Sequence, residues 1–126
     1  MRTILVLLIF LTVFLYCSED IETTKEQDAQ KFELLFAEIK TLSTSIACVD
    51  SSEWTFTAFG SKPCGGPTGY IAYSSKIDTI LFLRKIEEYT VAQENFNKKW
   101  GIISDCAVTP APSKVVCNEG KPVLEY

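Results

Sequence analysis

Five cysteines, at positions 17, 48, 64, 106 and 117, carry the best-defined chemistry in this 126-residue chain, and it contains no histidine. Without histidine there is no Ser-His-Asp or Cys-His nucleophile, no imidazole acid–base pair and no His-ligated zinc. A thiol can still accept a lipid, cross-link or bind metal. Four-cysteine zinc sites use tight pairs such as C-x2-C, whereas Cys48, Cys64, Cys106 and Cys117 are separated by 15, 41 and 10 residues. These four are therefore read as two disulfides, which implies an oxidising compartment. Three pairings are open. Cys48–Cys64 with Cys106–Cys117 is favoured, because each closes a short loop between sequence neighbours.

The carboxylates offer less. Sixteen acidic residues against twelve basic give a net charge of −4, which argues against a nucleic-acid partner, since phosphate binding needs clustered Lys and Arg. Asp105 beside Cys106 has no base partner. Asp78, near Ser74 and Ser75, reads as a helix cap, and Glu87, Glu88 and Glu94 as a solvated helix face. No EF-hand spacing, Walker loop or dinucleotide fingerprint occurs. No catalytic, cofactor-binding or metal-ligating residue is nominated, and no cofactor is expected. The unusual segment is Cys64-Gly65-Gly66-Pro67-Thr68-Gly69-Tyr70. As a partner loop it would present backbone and the side chains of Lys62, Thr68 and Tyr70 around Gly65 and Gly66. As a structural loop its glycines would simply serve a tight turn beside a disulfide. Neither Lys62 nor Thr68 is expected in the core.

The first residues are an export signal. Arg2 is the sole charge before Glu19, and Ile4 to Tyr16 is apolar apart from Thr12. A charged tip with a short apolar run reads as a secretory signal, residues 1–16, and is too short for a span of about 20 residues. Cys17 follows directly, then Ser18-Glu19-Asp20-Ile21-Glu22. A cysteine behind the apolar run resembles the lipidated cysteine of bacterial lipoproteins. The acidic stretch resembles the surface-export signal of Bacteroidota lipoproteins. Tyr16 stands where that pattern has a small residue. The resemblance implies lipid on Cys17 and anchorage at the outer membrane or cell surface; periplasmic or plainly secreted protein is the alternative.

Residues 17–28 read as a lipid-anchored acidic tether turning helical toward its end, and 29–126 as a single domain. Phe32, Leu35, Phe36, Ile39, Leu42 and Ile46 fall on one helical face, so a helix is expected from about Lys25 to Ser45. Trp54–Phe59 alternates like a strand, Gly60–Gly69 is dense in chain breakers, and Tyr70–Tyr73 is a second strand. Ser75 to Asp78 resembles a capping box opening a helix through about Lys99, with apolar positions at Phe82, Ile86, Tyr89, Phe96 and Trp100. Gly101 suits its C-terminus. Three β-like runs follow, around Ile102–Val108, Lys114–Cys117 and Lys121–Tyr126. The last two are joined by Asn118-Glu119-Gly120, a three-residue turn with Gly120 left-handed. The order predicts an α+β fold, two helices packed on a small antiparallel sheet with two disulfides.

Trp54 to Tyr126 also resembles a group of small, cysteine-paired, uncharacterised exported proteins of Bacteroidota. The likeness lies in Gly60-Ser61-Lys62-Pro63-Cys64-Gly65-Gly66-Pro67, Tyr70–Tyr73, Phe96-Asn97, Trp100-Gly101-Ile102, Ser104-Asp105-Cys106 and Val116-Cys117. It implies an exported, disulfide-bonded domain of the cell envelope and no particular activity. The functional reading is a non-enzymatic lipoprotein domain displayed at the surface, a protein-binding or accessory module whose partners are the membrane, through Cys17, and another protein. Two alternatives stay open: a structural envelope lipoprotein without specific ligand, and a carboxylate-dependent hydrolase. The hydrolase needs two acids held several Å apart across a cleft, for which so small a domain has little room.

Overall fold

Thr24 opens the first helix. Its hydroxyl accepts from Gln27 N at 3.3 Å and the Gln27 amide oxygen accepts from Thr24 N at 2.9 Å, a reciprocal capping box. The computed structural model describes residues 22–126. The signal 1–16, Cys17 and the first residues of the acidic tether, 18–21, lie outside the described residues. In chain order the elements are α1 (Lys25–Ser43), a short 3-10 turn (Ser51–Glu53), β1 (Trp54–Phe59), β2 (Gly69–Ser74), α2 (Thr79–Trp100), β3 (Lys114–Asn118) and β4 (Lys121–Glu125). The fold is α+β with two helices, two small antiparallel sheets of two strands each, and two disulfides.

Both helices differ from expectation at one end. α1 starts at Lys25, so the last four residues assigned to the tether are helical. It stops at Ser43 instead of Ser45, because three hydroxyls turn back on it: Ser43 and Thr44 donate to Lys40 O, and Ser45 donates to Leu42 O. Such bonds compete with the helical ladder. α2 opens at Thr79, with its N-cap three residues later than the expected Ser75. Asp78 is the N-cap itself, accepting from Leu81 N at 2.9 Å. Ser75 instead prolongs strand pairing, its N–H donating to Glu53 O at 2.8 Å. Gly101 ends α2 in the left-handed conformation, φ 58°, behind Lys98 and Lys99.

β1 and β2 pair antiparallel from Trp54↔Ser74 to Phe59↔Gly69. Alternation gives this hairpin two faces. Phe59, Ile71 and Tyr73 pack with Ile39, Phe82, Ile86 and Tyr89 of the helices. Trp54, Phe56 and Ala72 pack with Cys48, Val115, Cys117 and Leu124. The β1–β2 hairpin is thus a middle layer, with helices on one side and the β3–β4 hairpin on the other. Ile39 and Phe82 are fully buried, each contributing about 1.5–3 kcal/mol by leaving water. Tyr73 and Phe82 rings lie 4.7 Å apart.

The C-terminal part has two strands where three were expected. Residues 102–112 form an extended strap with no regular structure, since Pro110 and Pro112 cannot donate to a ladder and Cys106 takes φ 55°. The β3–β4 connection is tighter than expected. Asn118↔Lys121 pair directly, and Glu119 and Gly120 both take positive φ, 49° and 75°. That is a two-residue hairpin loop of the type that twists with its strands.

The favoured disulfide pairing is wrong. The bonds are Cys48–Cys117 and Cys64–Cys106. Cys48 N–H donates to Gly120 O at 2.9 Å, so the segment after α1 runs beside the β3–β4 hairpin and meets Cys117 there. An isolated two-stranded hairpin is marginal in water; this one is stapled to the middle of the chain. Cys64, on the β1–β2 loop, meets the strap at Cys106.

Candidate functional site

Three polar residues on one face of α2, Thr90, Gln93 and Asn97, hold the loop between β1 and β2. Thr90 Oγ1 accepts from Gly60 N at 3.0 Å. Gln93 Oε1 accepts from Ser61 N and from the Thr68 hydroxyl, each at 2.8 Å. Asn97 Nδ2 donates to Ser61 O at 2.7 Å. Within the loop Lys62 N donates to Gly66 O and Gly65 N to Lys62 O, a tight turn in which Gly65 and Gly66 have φ 94° and 81°. Thr68 N–H closes the loop onto Phe59 O at 2.9 Å.

The strap lies across this loop. It leaves α2 where Ile102 N–H caps Asn97 O, is bonded at Cys106 to Cys64, and enters β3 where Ser113 N–H donates to Glu125 O. Lys62 Nζ donates to Ala107 O at 2.6 Å and stands 3.9 Å from Asp105. Asp105 also accepts from Ala107 N at 3.1 Å, and the Thr109 hydroxyl donates to Pro67 O at 3.0 Å. On this pinned backbone Ile103 and Val108, either side of the disulfide, are 90% and 91% exposed.

The nominated loop residues therefore divide. Gly65 and Gly66 form the exposed tip. Lys62 keeps its side chain 21% exposed and spends its ammonium on the strap, while Thr68 spends its hydroxyl on Gln93. Neither is in the core, as expected, but both position the loop. Tyr70 is half-buried and faces elsewhere. It meets Phe56 edge-on at 6.0 Å and lines a separate groove of about 350 Å³ with Phe36, Lys40, Pro122 and Leu124. Ile103, Val108, Thr90, Gln93 and Asn97 were not nominated. A sequence signal existed for the last three: polar residues at i, i+3 and i+7 mark one helix face. None existed for the strap, which reads as strand by composition.

Electrostatics fix where the strap departs. Asp28 on α1 accepts from Lys99 Nζ at 2.6 Å and from Trp100 Nε1 at 3.2 Å. Lys99, then the Thr23 hydroxyl, with a weaker share from Trp100, hold its carboxyl down at about 2. This clasp joins the start of α1 to the end of α2. Burial pushes the Tyr89 hydroxyl up. Of the other acids, Glu94 pairs with Lys98 at 2.6 Å and Arg84 approaches Glu88 at 4.0 Å. A second groove, about 520 Å³, runs between the helices along Leu34, Leu42 and Leu81. Among the described residues no three His, Cys, Asp or Glu side chains cluster as metal ligands, and no helix is long and apolar enough to cross a membrane.

Compared with known proteins, the chain matches no family model, no curated protein and no solved structure. Two disulfides suggest an exported protein of an oxidising, extracytoplasmic space.

Proposed function

We propose that this chain is an exported, non-enzymatic module that binds another protein through the cross-linked loop 60–68 and strap 102–112. One observation carries the reading: Ile103 and Val108 are almost wholly exposed on a backbone held by a disulfide and several long-range hydrogen bonds. Apolar side chains held in water on a fixed frame can seat in a partner's pockets, and a pre-ordered loop loses less entropy on binding. Val49 and Ile80 are similarly exposed, and what sets Ile103 and Val108 apart is the cross-linked backbone that carries them. We further propose that Cys17 carries lipid, in keeping with the lipoprotein-like run that follows it. Thr23 meets Lys99 at 2.8 Å, so the chain enters the domain beside the root of the strap. Residues 17–23 span at most about 24 Å fully extended, which keeps the partner surface near the anchoring membrane.

The test uses the mature protein as bait against surface and secreted fractions. Ile103→Asp with Val108→Asp is expected to abolish capture of the recovered partner, while Leu34→Asp, in the interhelical groove, leaves it intact. Capture that survives the paired change, or that fails with Leu34→Asp alone, refutes the surface. For the anchor, Cys17→Ser is expected to release the protein from membranes, and labelled fatty acid is expected to enter the wild type. A membrane-bound variant or an unlabelled wild type refutes lipidation.

A further inference from the structure

The two disulfides sit in opposite surroundings. Cys48 is 2% exposed and packs among Trp54, Ala72 and Val115, with Cys117 against it. Cys64 and Cys106 are both exposed, on two segments without regular structure. Thiol–disulfide exchange requires a thiolate to reach a sulfur, so its rate follows access. Cys106 also holds φ 55°, a left-handed conformation unfavourable for a residue with a Cβ. The cross-link helps to hold that conformation, and opening the bond lets it relax. Beyond the disulfide, the strap is tied to the loop by the hydrogen bonds of Lys62 with Ala107 and of Thr109 with Pro67 and by the wider Lys62–Asp105 pair. No strap residue belongs to either core cluster, and only Pro112, at its junction with β3, is buried.

From this asymmetry we infer that Cys64–Cys106 is a redox switch: an extracytoplasmic dithiol opens it and frees the strap, while Cys48–Cys117 stays closed and the core stays folded. That the freed strap dismantles a partner surface rests on the function proposed above; the order of reduction does not. The reductant's thiolate attacks Cys106 Sγ. The Cys64–Cys106 bond breaks and Cys64 leaves as thiolate, next to the Ser104 hydroxyl 3.6 Å from its sulfur, then takes a proton from water. The second thiol of the reductant attacks the mixed disulfide and releases Cys106 as a thiol. Two electrons pass from the dithiol, which ends as a disulfide, to the two cysteines.

The experiment treats the mature protein with graded dithiothreitol, quenches with a maleimide mass tag and maps the labelled peptides. Cys64 and Cys106 are expected to label together, roughly tenfold or more faster than Cys48 and Cys117. Opening of Cys48–Cys117 first, or of both bonds at one rate, overturns the inference. Hydrogen exchange on the selectively reduced protein is the second readout. The amides of Lys62 and Gly65, bonded only within the turn that the strap crosses, are expected to exchange roughly tenfold faster or more once the strap is released, with Ser61, held by Gln93, and β1, β2 and α2 unchanged. Cys64→Ser with Cys106→Ser is expected to reproduce that pattern without reductant. Unaltered loop exchange overturns the switch yet leaves the partner surface standing. Failure of the Ile103→Asp and Val108→Asp test removes the surface without changing the order of reduction.

Discussion

Replacing Gly60 with alanine tests the cradle that holds the candidate surface. Gly60 has φ 75°, and a Cβ built there would lie 2.5 Å from Gln93 Oε1, 2.5 Å from Thr68 Oγ1 and 2.8 Å from Thr68 Cβ. Two separate costs follow. A residue with a Cβ in the left-handed region loses about 1–2 kcal/mol. Moving the Gln93 amide away disrupts its bonds to Ser61 N and the Thr68 hydroxyl, at about 1 kcal/mol each. Gly60→Ala is therefore expected to destabilise by about 3–4 kcal/mol. Gly101→Ala is the internal control: its φ is 58° and nothing lies within 4 Å of the added Cβ, leaving the backbone cost of about 1–2 kcal/mol alone. Urea unfolding of the oxidised proteins, followed by tryptophan fluorescence, measures both. If Gly60→Ala costs no more than Gly101→Ala, the loop is not packed on α2 as described, and the argument for a fixed surface fails with it.

Phe82→Ala removes a fully buried ring between Tyr73 and the helices and is expected to cost about 3–5 kcal/mol, a large share of a typical domain stability of about 5–15 kcal/mol; a loss under 1 kcal/mol in urea melts refutes its central place. Non-reducing peptide mapping is expected to yield Cys48–Cys117 and Cys64–Cys106 peptides, and a Cys48–Cys64 peptide would refute the layer arrangement. The loops they close, with sequence separations of 69 and 42, correspond to about 4 kcal/mol of denatured-state entropy each. Asp28, lowered from 3.8 to about 2, binds a proton more readily unfolded than folded, so its contribution is present above about pH 4 and is lost as pH falls towards 2. Acid unfolding of Asp28→Asn is expected to show a shallower decline across that window; an identical profile refutes the clasp.

Much of the fold was legible because period decides it. Phe32, Leu35, Phe36, Ile39 and Leu42 announce a helix face, and Trp54 to Phe59 a strand, from spacing alone. The ends were harder, because they depend on hydroxyls choosing between water and a carbonyl, as at Ser43 and Thr44. Asp78 carries a capping signal in either frame, and only the pairing of Ser75 with Glu53 decides that the strand pairing runs on as far as Ser75 and leaves the cap to Asp78. The strap defeated composition outright: Ile102, Ile103 and Val108 have β-forming side chains, yet Cys106 in a left-handed conformation and two prolines deny them a ladder. The glycine-rich loop was singled out for its backbone, whereas Ile103 and Val108, the most exposed of the large apolar side chains among the described residues, belong to the segment bonded to it.

The cysteine pairing shows why the site could not be read from spacing. Favouring short loops weighs the entropy of closing an unfolded chain, a term that grows only slowly with length. The native pairing is set by which faces stack. Alternation along β3 and β4 puts Val115, Cys117, Pro122 and Leu124 on one side of the hairpin, and Trp54, Phe56 and Ala72 form the face that receives it. Each half of that contact is visible as a pattern, but nothing in either pattern says that the two halves meet. Once they do, Cys117 is committed to Cys48, and Cys64 and Cys106 are left for each other. The result is a nested pair, with 64–106 wholly inside 48–117. In a nested pair the outer bond keeps its layers together when the inner bond opens. The geometry that hid the site from the sequence is thus the same geometry that allows the strap to be released without loss of the fold.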